Sequence, residues 1–213
     1  MVSHSWDQPK GGIKMKTFAI VLDAGHGGKD AGAVHNDFLE KDLNLAVMNR
    51  LREDFKQYAK VIFVTRDADV DVSLRRRIWL ANNAKVLAGK RGEPVDTVLY
   101  FSIHWNGANK EAHGGEVWYN SYARSLPETF WKKAYKKAGS YWRGKKWAGD
   151  WYGKRMYIEY IRTPAILWEV GFTGWDFVSD VEKMGDYWHV KPFTPLAELV
   201  DDVARGVWKW ITK

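Results

Sequence analysis

Apolar residues along this chain form short continuous runs that alternate with longer stretches of helical period. The short runs predict buried strands, because they are rich in β-branched and aromatic residues and end at polar or glycine-containing turns. The longer stretches place apolar residues three and four positions apart, which predicts amphipathic helices. Strands are predicted at 17–22, 61–65, 98–103, 116–119 and 165–170, and helices at 39–58, 74–88, 126–143 and 196–211, with Ser73 as an N-cap.

This order of elements predicts one α/β domain with a mostly parallel central sheet flanked by helices. The run at 98–103 is almost entirely apolar or aromatic, as expected for a central strand covered on both faces. A chain of 213 residues is long enough to bury one substantial core. We therefore predict a flexible lead-in at 1–16 and a single folded domain at 17–213.

Three reactive side chains occur where predicted strands end. His26 follows the strand at 17–22, His104 follows the strand at 98–103, and Glu169 lies near the end of the strand at 165–170. Because the carboxyl ends of parallel strands meet at one edge of a sheet, we expect these residues to share one crevice. Together with Glu40 they suit a bound metal with an acid or base beside it. The chain has no cysteine, so any zinc must be held by histidine and carboxylate.

Two of these residues have competing interpretations. Glu40 lies three residues after Asp37, the spacing of a capping box, in which Glu40 would reach back to a backbone N–H at the start of a helix. Metal ligation fits the same position equally well. Glu169 interrupts the apolar run AILWEVGF, where a carboxylate has to be paired, metal-bound or protonated.

The charge of the chain indicates an anionic partner. The formal net charge is +7 and the pI is about 9.4, which favours nucleic acid, a membrane surface or an acidic wall polymer. Residues 131–147 contain seven Lys/Arg, five aromatic residues and no acidic residue. They predict either a helix with a solvated basic face and an aromatic core side, or a contact surface for anionic wall polymer or membrane. The same composition also suits single-stranded nucleic acid.

Several motifs occur in a fixed order over nearly the whole chain. They are LDAGHGGKDAGAV, LEKDLNL, TRDAD with SLRRRIWLAN, SIHWNGA and TPAILWEVGF. In this order they resemble the zinc-dependent N-acetylmuramoyl-L-alanine amidases of the amidase-3 type. The resemblance implies that His26, Glu40 and His104 bind Zn²⁺ and that Glu169 is the catalytic general acid/base. The other histidines match no ligand position, and Trp105, next to the third motif's histidine, is expected to narrow or floor the cleft.

The function that this resemblance implies is hydrolysis of bacterial peptidoglycan at the amide bond between N-acetylmuramic acid and L-alanine. Residues 17–213 would then be the catalytic domain, and we expect a monomer with no nucleic-acid partner. A wall-binding module without activity and a basic nucleic-acid-binding protein are the competing classes. The polar start of the chain shows no signal peptide, and no segment is long enough to span a bilayer. This fits a phage endolysin made in the cytoplasm, or a secreted autolysin lacking its signal.

Overall fold

The computed structural model describes residues 16–107, 112–174 and 176–213. Apart from Lys16, the predicted lead-in at 1–16 lies outside the described residues. The strands are β1 Phe18–Ala24, β2 Val34–His35, β3 Phe38–Leu39, β4 Val61–Val64, β5 Thr97–Asn106, β6 Gly115–Tyr119, β7 Trp142–Trp147, β8 Ala165–Phe172, β9 Val181–Met184 and β10 Tyr187–Val190. The helices are α1 Glu40–Phe55, α2 Leu74–Lys90, α3 Thr129–Lys137 and α4 Pro195–Ile211.

A central six-stranded sheet has the order β4-β1-β5-β8-β6-β7. The strands β4, β1, β5 and β8 pair in parallel. β6 runs antiparallel to β8, and β7 pairs in parallel with β6. The predicted fold class, a single α/β domain with a mostly parallel sheet between helices, is confirmed. In the described residues, no helix has the length and apolar character needed to cross a membrane.

Helices cover both faces of this sheet, which explains the continuous apolar runs. In β1, Phe18 and Ile20 belong to the core formed with α1, α3 and α4. Ala19 and Val21 point to the opposite face, where α2 and a short 3₁₀ turn at Tyr157–Tyr160 pack. Successive residues of a strand alternate between faces, so a strand buried on both sides can be apolar at consecutive positions.

The helix predicted over 126–143 is wrong in its second half. α3 ends at Lys137, and Gly139 adopts the left-handed region at φ 72°. The N–H of Ser140 then bonds to the carbonyl of Tyr135, which reverses the chain direction after the helix. The residues that follow form the edge strand β7, whose pairing with β6 depends on a partner that the local sequence does not contain.

The aromatic residues of 131–147 are partly core, as one of the two interpretations expected. Trp131 and Tyr135 are fully buried, and Trp142 stacks on Trp131 with ring centroids 5.4 Å apart. Several basic side chains of the segment are paired. Lys137, for example, lies 3.2 Å from Asp202 Oδ2 and 3.4 Å from a Glu198 oxygen. Contact of this segment with anionic wall polymer or membrane stays a prediction.

Candidate metal centre

The structure brings together the three predicted metal ligands. His26 lies two residues after β1, in the turn that follows the strand. Glu40 is the first residue of α1, and His104 lies near the end of β5. Glu40 Oε1 is 3.1 Å from His26 Nε2 and 3.0 Å from His104 Nδ1. One ligand atom from each residue lies within 4.8 Å of the others, and this is the only such cluster in the described part of the chain.

The geometry of this cluster fits a zinc ion. Ligand atoms held about 2.0–2.2 Å from a tetrahedral zinc lie about 3.3 Å from one another. The 3.0 and 3.1 Å separations that Glu40 makes with the histidines are close to this value. Asp30 Oδ2 lies 2.8 Å from His26 Nδ1, the other nitrogen of the ring. A carboxylate in this position fixes the tautomer and orientation of a ligating histidine.

The surroundings of Glu40 differ from those of a capping box. The N-cap of α1 is Leu39, and no side chain caps the helix. Glu40 Oε2 accepts a hydrogen bond from the N–H of Ala33, at 2.8 Å, and Oε1 accepts one from the N–H of Trp105, at 3.0 Å. Burial raises the pKa of Glu40, but the hydrogen bonds and charges of His104 and His26 hold it well below its usual range. A charged, buried carboxylate between two imidazoles favours the metal interpretation over the cap.

Glycine leaves room for the ligands at two positions. Gly25 carries no Cβ, and one built there would collide with the ring of His104. Gly32 has φ 66°, and a Cβ there would lie 2.5 Å from Glu40 Oε2 and 2.6 Å from His26 Cδ2. The close packing of the ligands therefore requires glycine in this turn.

We expect Gly32→Ala to weaken zinc binding by about 10- to 100-fold, as is typical when groups that orient metal ligands are disturbed. The added methyl group would displace Glu40 or His26, and the backbone would also be strained at positive φ. Competition with a chromophoric chelator measures the affinity. Gly92→Ala is the matched control, because Gly92 has φ 77° but no heavy atom lies within 4 Å of the position that a Cβ would take there. Equal affinities of the two variants would contradict the steric explanation.

Two buried arginines hold the turn that carries His26. Arg66 donates to the carbonyls of Ala24 and Gly25, at 3.0 and 2.9 Å. Arg77 donates to the carbonyls of Ala24 and His26, both at 2.8 Å. Both arginines fall in the sequence motifs quoted above, but no pattern assigned them a role. Their contacts show that they orient the backbone of the turn that carries His26.

A buried carboxylate, that of Asp23, provides negative charge beside these arginines. It is fully buried and forms an ion pair with Arg77. It also accepts hydrogen bonds from the hydroxyls of Ser102, at 2.7 Å, and of Tyr100 and Thr65, both at 2.5 Å. Burial raises the pKa of Asp23, but Arg77 and the hydroxyl donors outweigh this and lower it to about 2. The carboxylate is therefore charged at any pH at which the protein would work.

Glu169 lies beside the metal cluster. His104 on β5 and Glu169 on β8 are Cα partners in the parallel pairing, so both lie inside strands that extend further than predicted. Glu169 Oε2 is buried and has no hydrogen-bond partner among the described residues. Burial raises the pKa of Glu169 well above its usual range; the carboxylates of Glu40 and Glu116 raise it further, and Lys146 opposes them. A carboxyl whose Oε2 is buried and unpartnered, next to a candidate metal centre, suits proton transfer.

The expectation that Trp105 narrows or floors the cleft is wrong. Its side chain is 1% exposed and belongs to the core with α1 and α4. Neighbouring residues of a strand point to opposite faces, so Trp105 faces away from the side chain of His104. Its contribution at the site is its backbone N–H, which bonds to Glu40.

The fold and this site define the class. It is an α/β protein with a candidate metal centre and a half-buried glutamate beside it, at the edge of the sheet where the parallel strands end. The chain belongs to the N-acetylmuramoyl-L-alanine amidase family, because the Amidase_3 profile of that description matches residues 20–176. As a member of this family, the protein is an amidase that hydrolyses amide bonds in peptidoglycan.

Three comparisons illustrate the relationship. The chain is 31% identical over 171 residues to uncharacterized protein YqiI of Bacillus subtilis (strain 168). The matched region covers 78% of this chain and 74% of YqiI. It is 43% identical over 88 residues to the endolysin of Bacillus phage SPP1, covering 41% of this chain but only 28% of the endolysin. The structure of N-acetylmuramoyl-L-alanine amidase AmiC2 of Nostoc punctiforme matches with a TM-score of 0.66 at 26% identity, covering 92% of this chain and 98% of AmiC2.

Proposed function

We propose that the protein hydrolyses the amide bond between the lactyl carboxyl of N-acetylmuramic acid and L-alanine, with zinc held by His26, Glu40 and His104 and with Glu169 as general acid/base. The observation that carries this proposal is the His26–Glu40–His104 cluster with Glu169 in register beside it. Three protein ligands would leave a fourth tetrahedral position for water or substrate. When bound, zinc would polarise the scissile carbonyl and lower the pKa of water toward about 7.

The protein's own residues transfer the protons and hold the proposed ligands in position. Glu169 takes a proton from the attacking water at Oε2 and passes it to the departing alanine nitrogen. Its raised pKa suits this second step, because the proton must stay on the carboxyl until the amine leaves. A zinc ion bound beside it would favour the charged carboxylate that the first step needs. Asp30 holds the ring of His26, while Arg66 and Arg77 hold the backbone beneath it. These contacts keep the ligands in place before substrate binds.

The proposal places the whole reaction in residues 17–213, as a catalytic domain that acts on the bacterial cell wall. A phage-lysis role is supported by the local similarity to the SPP1 endolysin. The alternative is a secreted autolysin, and an export signal in the complete gene would favour it over the phage role.

The direct test is mass spectrometry of purified peptidoglycan digested with this protein, with a chelator and with zinc added back. We expect peptides that begin at a free L-alanine amine, lost on chelation and restored by zinc. Fragments cut at another bond would show that the protein is a hydrolase but that the assigned bond is wrong. Binding to peptidoglycan without release of peptides would favour the wall-binding class instead, and salt-sensitive binding to nucleic acid alone would favour the third class.

A further inference from the structure

A charged cluster that the proposed reaction does not use lies on the far side of Glu169 from the metal ligands. At its centre is Glu116, whose side chain is 6% exposed. Its Oε2 lies 2.6 Å from Lys146 Nζ and 3.2 Å from Arg143 Nε, and its Oε1 accepts a hydrogen bond from Trp118 Nε1 at 3.0 Å. Two cations therefore share one carboxylate, so the cluster carries excess positive charge.

This cluster opens on the same face of the sheet as Glu169. Glu116 and Glu169 are Cα partners in the antiparallel pairing of β6 with β8. Directly opposed residues of such a pair project from one face, with Cβ atoms about 4.5–5.5 Å apart. Lys146 and Arg143 are each 37% exposed, so their charged groups reach solvent while Glu116 stays buried.

The buried carboxylate fixes the two cations in position. Lys146 Nζ also lies 5.1 Å from the centre of the Trp118 ring, and the Arg143 guanidinium lies 5.3 Å from that of Phe172. Arg143 Nη1 donates to the carbonyl of His113, at 3.5 Å. Long basic side chains held in this way lose less conformational entropy on binding a ligand than freely rotating ones.

The order of groups across the sheet indicates which part of a substrate meets these cations. The metal ligand His104 lies on β5, Glu169 on β8, Glu116 on β6, and the cations on β7. If Glu169 protonates the departing nitrogen, the peptide beyond that nitrogen extends toward β6 and β7. Strands are about 4.8 Å apart, and an extended peptide advances about 3.3–3.6 Å per residue. The charged groups of Lys146 and Arg143 lie 2.6 and 3.2 Å from Glu116 Oε2 on β6, one strand from Glu169, so the residue after alanine would reach them.

We propose that Arg143 and Lys146, held by Glu116, form a subsite that binds the free carboxylate of the second stem-peptide residue and makes the enzyme selective for an acidic residue over its amide there. This inference rests on the proposed function, because it takes the cleaved bond to be the one before L-alanine. Arginine and lysine are the natural partners of a carboxylate, and hydrogen bonds between charged groups are the stronger ones.

The test compares two soluble glycan strands with stem tripeptides that differ only at the second residue, D-glutamate or D-isoglutamine. We expect the unaltered protein to show a kcat/KM about tenfold higher on the glutamate strand, the effect of one good hydrogen bond to a charged group. Lys146→Met and Arg143→Gln should each reduce this ratio, because kcat/KM falls more on the glutamate strand than on the isoglutamine strand. Lys133→Met is the matched control, since Lys133 is an exposed lysine of the same basic segment.

Each outcome has a distinct meaning. Equal rates on both strands with the unaltered protein would overturn the subsite. So would variants that lose activity equally on both strands, because that result indicates a structural role; thermal unfolding of each variant checks this. Hydrolysis of neither strand, or cleavage at a different bond, would contradict the proposed function itself rather than the subsite alone.

Discussion

Replacing Glu169 by glutamine is expected to lower turnover of peptidoglycan by about 10²- to 10⁴-fold, the usual contribution of a general acid/base. Glutamine has nearly the same shape but cannot accept and return a proton. Zinc affinity and fold should be retained, because Glu169 is not one of the three clustered ligand residues. The rate of peptide release and the zinc content of the purified variant are the two measurements.

The stability of this variant gives a second readout. Glu169 Oε2 is buried without a partner, and the neighbouring carboxylates of Glu40 and Glu116 disfavour its charge. Removing an ionisable group from such a place should leave the thermal unfolding midpoint unchanged or raise it. His26→Ala is the contrasting variant, expected to lose zinc and activity together. Full turnover by Glu169→Gln would remove Glu169 from the mechanism.

The sequence predicted the elements whose pattern is set by their own residues. α4 was predicted within one residue of its start, and Ser73 accepts the capping hydrogen bond of α2 from the N–H of Arg76, at 3.3 Å. The prediction from the sequence was wrong at β7, which was expected to be helical. In this strand Lys145 lies over the ring of Tyr119, and Lys146 lies over the ring of Trp118. These rings belong to β6, so a strand that reads locally as basic and aromatic helix is stabilised by distant residues. Basic side chains are also common on edge strands, which they protect from further pairing.

The same distinction applies to the site. The clustering of His26, Glu40 and His104 could be predicted because each lies in a recognisable motif near the end of a strand or the start of a helix. Glu169 was expected to share their crevice, but it lies inside β8 rather than at its end. Asp30 was within reach of sequence reasoning, since it lies four residues after His26 in the same turn. The roles of Arg66 and Arg77 were not, because their hydrogen bonds join residues more than forty positions apart. Glu116 was identified only as part of a strand, and its cations come from a segment that was predicted to be helical.

The largest effect on stability is expected at the buried pair of Asp23 and Arg77. Arg77→Met should lower the free energy of unfolding by about 3–5 kcal/mol, because it leaves the carboxylate of Asp23 buried without its cation. Zinc affinity should fall as well, since the carbonyl of His26 loses its guanidinium donor and that of Ala24 keeps only the donor from Arg66. Denaturant unfolding and chelator competition measure the two effects. Arg75→Met, on the exposed side of α2, is the matched control.

A double variant separates charge balance from positioning. Asp23→Asn combined with Arg77→Met removes both charges, so much of the stability lost in the single variant should return. Zinc affinity should stay low, because the backbone carbonyl of His26 still lacks the hydrogen bond from Arg77. Recovery of both stability and zinc affinity would mean that Arg77 acts only as a counter-ion. Recovery of stability alone would show that the Arg77 guanidinium positions the turn that carries His26, in addition to neutralising Asp23.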